Sequence, residues 1–224
     1  MLPVLKKELK SMFFSPVGYI IIAIFLFIFS GIFYLFSINS RNIDLGTIYF
    51  AIAMYALPIL VSVLTMKSFS GERNKKTEQL LYISPRSTIS IVLGKFFSLV
   101  LVICIAVALS SIYYLILSIF GNPSFNKLLV IWLGFILLSM AYISFGILIS
   151  SLTENQVISA IITLIFLMLP IFVTSSKALS YLILVDFFQK FATGVITVRE
   201  VVCLVSFTIM CITITTIGIE KRRN

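Results

Sequence analysis

Histidine is absent from this chain, which removes the commonest general base and metal ligand. Charge is scarce as well. Of 224 residues only 11% are charged against 60% apolar, and the mean hydropathy is +1.16. A water-soluble fold of this length must cover its outside with more polar groups than that, so a soluble enzyme or binding module is excluded. Cysteine is limited to Cys104, Cys203 and Cys211, all within apolar runs and without the spacing of a disulfide framework or a zinc site. They read as small apolar packing residues. No glycine-rich phosphate loop exists, because Gly94-Lys95 lacks both the upstream glycine and a following Ser or Thr. No paired carboxylates fall inside an apolar run, and no Ser/His motif can form. The chain is therefore expected to hold no cofactor and no metal and to catalyse nothing itself. Ion-coupled carriers keep acidic or histidine side chains in the membrane, so their lack here argues against a self-sufficient carrier.

What the sequence does contain is a series of continuous apolar runs, several near the roughly 20 residues that a helix needs to cross a bilayer. A membrane β-barrel would show short alternating segments instead. The expected fold is an all-α integral membrane protein, a single domain over 1–224, with six transmembrane helices at about 16–37, 47–66, 91–120, 127–150, 156–174 and 200–218. Residues 1–15 put Leu5, Leu9, Met12 and Phe13 on one helical face and Lys6, Lys7 and Lys10 on another. That pattern predicts an N-terminal amphipathic helix lying in the interface, its lysines anchored among head groups. The run after it is too long for a signal-peptide core, so no cleaved leader is expected. Pro58 predicts a kink in the second span. Thr153 with Gln156 fits a capping box opening the fifth. Residues 178–192 are interrupted by Asp186, Gln189 and Lys190, which suits a short re-entrant or interfacial segment before the sixth helix.

The one long polar interval runs from Lys67 to Lys95 and carries six basic and two acidic residues. Within it, residues 77–83 can form a short amphipathic helix, and Ser84-Pro85 reads as the start of the third helix. Lys95 falls where the polar interval gives way to the third span and reads as a snorkelling anchor at the boundary. With six spans, both termini and the 67–90 loop share a side, and that side holds 12 of the 17 basic residues. The excess places it in the cytoplasm. Net charge is +9, but the basic residues flank hydrophobic spans, so anionic lipid and topology account for them and no nucleic-acid partner is expected.

The residues in and around this loop carry a resemblance. Glu72-Arg73, Thr77-Glu78, Leu80-Leu81, Pro85 and Gly94-Lys95, with Lys7-Glu8 ahead of Ser15-Pro16, are similar to the membrane subunits of type-2 ABC exporters. The stretch Phe187 to Phe191, then Gly194-Val195-Ile196 and Arg199-Glu200, resembles the gliding-motility-type branch, although Asp186 stands where that branch often has histidine. The resemblance implies a permease subunit forming half of a translocation pathway, with a second permease chain, identical or a sister, and two ATPase chains. It implies a coupling helix in the 67–90 loop, with Glu72, Arg73, Thr77, Glu78, Leu80, Leu81 and Pro85 meeting an ATPase that binds ATP and Mg. Lys6, Lys7, Lys10 and Lys95 would anchor the chain at the interface. The location implied is the bacterial plasma membrane, multi-pass, with both termini cytoplasmic. An ATP-independent carrier or channel is the alternative.

Overall fold

The computed structural model describes residues 2–14, 16–39, 44–74, 87–120, 124–172 and 184–223. Every regular element among them is helical. In chain order these are α1 (Leu2–Phe14), α2 (Val17–Asn39), α3 (Leu45–Ala51), a π-turn (Ile52–Ala56), α4 (Leu57–Thr65), α5 (Ser70–Asn74), α6 (Thr88–Leu109), α7 (Ser111–Phe120), α8 (Phe125–Leu152), α9 (Gln156–Phe172), α10 (Leu184–Ala192) and α11 (Val198–Arg223). Five helical runs are long and apolar enough to cross a membrane, and α9 is a shorter apolar helix. The protein is a multi-helix membrane protein.

The second run shows how sequence becomes local geometry. Proline at 58 donates no backbone bond and crowds the turn before it. The chain answers by widening that turn into the π segment, where the N–H of Leu57 reaches the carbonyl of Ile52. The third run is also interrupted. Ser110 separates α6 from α7, and its hydroxyl donates to the Val107 carbonyl at 2.6 Å. Its start lies at Thr88, with Ser87 in the N-cap position, so the helix opens after the Ser84-Pro85 pair, which itself lies outside the described residues. The expected capping box at α9 gives way to a different cap. Asn155 Oδ1 accepts from the Val157 N–H at 2.9 Å, while the Thr153 hydroxyl turns back to the Ile149 carbonyl and closes α8. Asn is as good an N-cap as Thr, and it stands one residue before the helix.

Helix α8 is the central post. It packs against α3, α4, α6, α9, α10 and α11, and its Phe135, Leu138, Tyr142 and Ile147 are buried. Around Phe135 an edge-to-face aromatic cluster joins Phe25, Tyr49 and Phe188 at centroid distances of 5.5 to 6.0 Å. Such pairs add to area burial. The outward faces of α2, α9 and α11 carry exposed Ile, Leu, Val and Phe, as a bilayer-facing surface requires. Helix α1 lies against α6, and its Lys6, Lys7 and Lys10 are exposed.

Candidate functional site

At one end of the bundle a single ammonium group gathers three elements. Lys95 on α6 is 3% exposed. Its Nζ lies 2.7 Å from Glu72 Oε1 on α5, 3.3 Å from Glu8 Oε1 on α1, and 2.7 Å from the Ser68 carbonyl. It also sits 4.9 Å from the centroid of the Phe69 ring. This corrects the sequence expectation. Lys95 is not a boundary lysine reaching outward; two carboxylates and a carbonyl satisfy its donors inside the protein. The residue before it has its own reason. A Cβ on Gly94 would come within 2.8 Å of Val4, so only glycine lets α1 seat this closely on α6. A buried ion pair is dear to break, at about 3–5 kcal/mol for loss of one partner, because the other charge is left uncompensated.

The same short stretch is held from its other side. Ser150 near the end of α8 is fully buried, and its Oγ accepts from the N–H groups of Phe69 and Ser70 at 3.0 and 3.1 Å. The next carbonyl, that of Ser151, accepts from Arg73 Nη2 at 3.3 Å and from Arg222 Nη1 at 2.7 Å. Residues 68–73 are thus tied to α1 and α6 through Lys95 and to α8 and α11 through Ser150 and Ser151. Of the residues expected in the coupling surface, Glu72 and Arg73 therefore make contacts within the chain. Thr77, Glu78, Leu80, Leu81 and Pro85, and the expected amphipathic helix at 77–83, lie outside the described residues. The serine clamp escapes sequence reading, since Ser150-Ser151 looks like any polar helix end.

The opposite end is closed by α10. Nine residues are too short to span, and Leu184, Val185, Phe188 and Phe191 are buried. Its Ala192 carbonyl packs on Gly46, and Phe191 packs on Gly134. A Schellman turn ends it: Val195 N–H reaches the Lys190 carbonyl, Gly194 N–H reaches the Phe191 carbonyl, and Gly194 takes the positive φ of 90° that this turn needs. Lys190 Nζ then lies 2.6 Å from Glu200 Oε1 on α11. Asp44, whose Oδ1 caps α3 through the Gly46 N–H, pairs with Lys127 at 2.9 Å at the same end. No metal-binding group of His, Cys, Asp or Glu occurs among the described residues.

A family model described as ABC-2 family transporter protein matches residues 35–193. The chain belongs to that family. It is an ABC transporter permease, a membrane component of a transport machine whose energy comes in general from an ABC ATPase. The matched region takes in Lys95, Glu72, the serine clamp and α10, while Glu8 and Arg222 of the permease lie outside it. No curated relative matches the chain.

Proposed function

We propose that this ABC-2 permease is an exporter subunit that forms half of a translocation pathway and receives mechanical work from a separate ATPase through its 67–90 loop. One observation carries the reading: residues 68–73 are anchored on both sides, to α1 and α6 through Lys95 and to α8 through Ser150. A push delivered to the adjoining residues would meet a stiff footing joined to several membrane helices. Thr77, Glu78, Leu80, Leu81 and Pro85 would supply the surface that meets the ATPase, with Glu72 and Arg73 fixing its base. ATP and Mg would be held by the ATPase and not by this chain. Two ATPase chains and a second permease chain would complete the transporter. Six helical runs make one permease unit of 1–224, and the basic excess at the Lys95 end supports placing both termini and this loop in the cytoplasm of a bacterial cell. Lys6, Lys7 and Lys10 would rest among head groups of the plasma membrane. The 187–200 stretch supports the gliding-motility-type branch, against which Asp186 counts.

The test is purification of the full chain from its native membranes, with identification of what accompanies it. An ABC ATPase is expected to co-purify, and charge reversal at Glu78 to reduce its recovery while insertion is unchanged. Recovery of the chain without any ATPase would sink the proposal, as would labelling of Lys75 or Lys76 from the outer face of the membrane.

A further inference from the structure

We infer that Lys95 is a positioning residue that makes the N-terminal helix move with the 68–74 segment, so that α1 is a driven part of the transporter and not a passive anchor. The inference rests on the permease reading above and adds to it the route by which work leaves the loop. The two carboxylates that Lys95 holds come from different elements, Glu72 on α5 and Glu8 on α1. The ammonium lies between the two acids, which would otherwise repel each other. Next to it a cavity of about 130 Å³ opens between α1, α4 and α6, lined by Ser11, Met12, Leu64, Ser68 and Ser98. Beside this cavity the ammonium joins α1 to α5 and α6, while Met12 and Phe13 farther along α1 pack against the core. Farther toward its N-terminus Val4 packs closely on Gly94, and toward its C-terminus the Met12 carbonyl packs closely on Gly18 of α2. Between those two contacts Glu8 is the tether, the point at which a pull from α5 reaches α1. The tether is pulled whenever α5 shifts, since Glu72 and the Ser68 carbonyl hold the same ammonium at 2.7 Å.

The experiment uses the full chain with its ATPase, reconstituted in lipid vesicles, with Cys104, Cys203 and Cys211 replaced by Ala. Spin labels are placed on exposed positions of α1 and α8 through Lys7→Cys and Leu152→Cys, and their separation is measured with and without ATP and vanadate. The unaltered junction is expected to show an ATP-dependent change in that separation. Lys95→Gln and Glu8→Gln are each expected to lose most of it while the ATPase stays bound and hydrolyses ATP. Lys95→Arg, which keeps the charge, is expected to recover part of it. A merely structural role for Lys95 would alter yield and leave the ATP-dependent shift in place. If Lys95→Gln does not assemble, Glu8→Gln decides, since it leaves Lys95 paired with Glu72. An undiminished shift in Glu8→Gln, or no shift in the unaltered junction with the ATPase bound and active, would overturn the inference. Failure of any ATPase to bind the unaltered chain would instead overturn the permease reading, and the inference with it.

Discussion

The main-chain carbonyl of Ser151 accepts from the guanidinium of Arg222 at 2.7 Å, across 71 residues of sequence. The carbonyl is one of those that the end of α8 leaves without a helical partner, and a cation is the preferred group to satisfy it. Arg222→Ala should therefore free the last turn of α11. Arg222 is solvent-exposed, so the stability cost should be small, about 0.5–1 kcal/mol. The measurement is hydrogen exchange of residues 217–222 in detergent. Faster exchange confined to that turn is expected, and an unchanged pattern would show that the contact contributes nothing.

Ser150 makes a different prediction, because what it satisfies is buried. Ser150→Ala removes the acceptor of two backbone N–H groups, those of Phe69 and Ser70. Leaving buried donors unpaired costs about 1–3 kcal/mol. Amide exchange at residues 69–74 should then rise by roughly tenfold or more, one factor of 10 for each 1.4 kcal/mol. Ser151→Ala serves as the control, since its main-chain carbonyl still receives Arg73 and Arg222. Equal exchange in the two variants would mean that the clamp does not hold the loop.

Hydrophobic length foretold a membrane protein built of apolar helices, because a bilayer leaves a chain little choice about which residues it covers, and five long apolar runs with one shorter apolar helix are found. Their ends were harder to see. The last helix runs on to Arg223 rather than stopping near residue 218, since Glu220 to Arg223 are all good helix formers and no glycine or proline ends the turn. The π-turn ahead of Pro58 was legible only as a break, because proline demands an adjustment without saying which. The Lys95 junction was half legible. The Gly-Lys pair and the Glu-Arg pair both stood out, but a lysine at the edge of an apolar run reads the same whether it snorkels or pairs inward. Its acids are 23 and 87 residues away, a separation that no periodicity reports. Asn155 is masked by Thr153 two residues earlier, which fits the capping-box pattern with Gln156. The serine clamp carried no signal at all.

The link between Lys190 and Glu200 spans the turn between α10 and α11. Its two ends differ: Lys190 is 53% exposed and Glu200 only 5%. Loss of the lysine should therefore cost little in itself, while loss of the glutamate also removes a group at the third position of α11, where a carboxylate favours the helix start. Glu200→Ala is expected to increase proteolytic cleavage at residues 193–197 several-fold, in line with a cap worth about 1 kcal/mol. Lys190→Ala should increase it less. The reverse order would show that the ion pair, and not the helix start, secures α10.

Tyr49 stands where three elements meet. Its hydroxyl is 2.6 Å from Ser110 Oγ at the break between α6 and α7, and it accepts from Trp132 Nε1 on α8 at 2.9 Å. Trp132 is the single tryptophan of the chain, so its emission reports on this contact alone. Tyr49→Phe keeps the ring and its packing against Phe29 and Phe135 but takes the acceptor from the indole. Polar contacts between membrane helices are worth about 0.6 kcal/mol on average and at most about 1.7, so the variant should fold. Its emission should move to the blue, because the excited indole loses the oxygen that stabilises its dipole. Ser110→Ala leaves the Tyr49 to Trp132 bond in place and should leave the emission where it was. The two variants separate the interpretations cleanly. A blue shift in both would mean that Ser110 orients the tyrosine, and a shift in neither would mean that the indole finds its acceptor elsewhere.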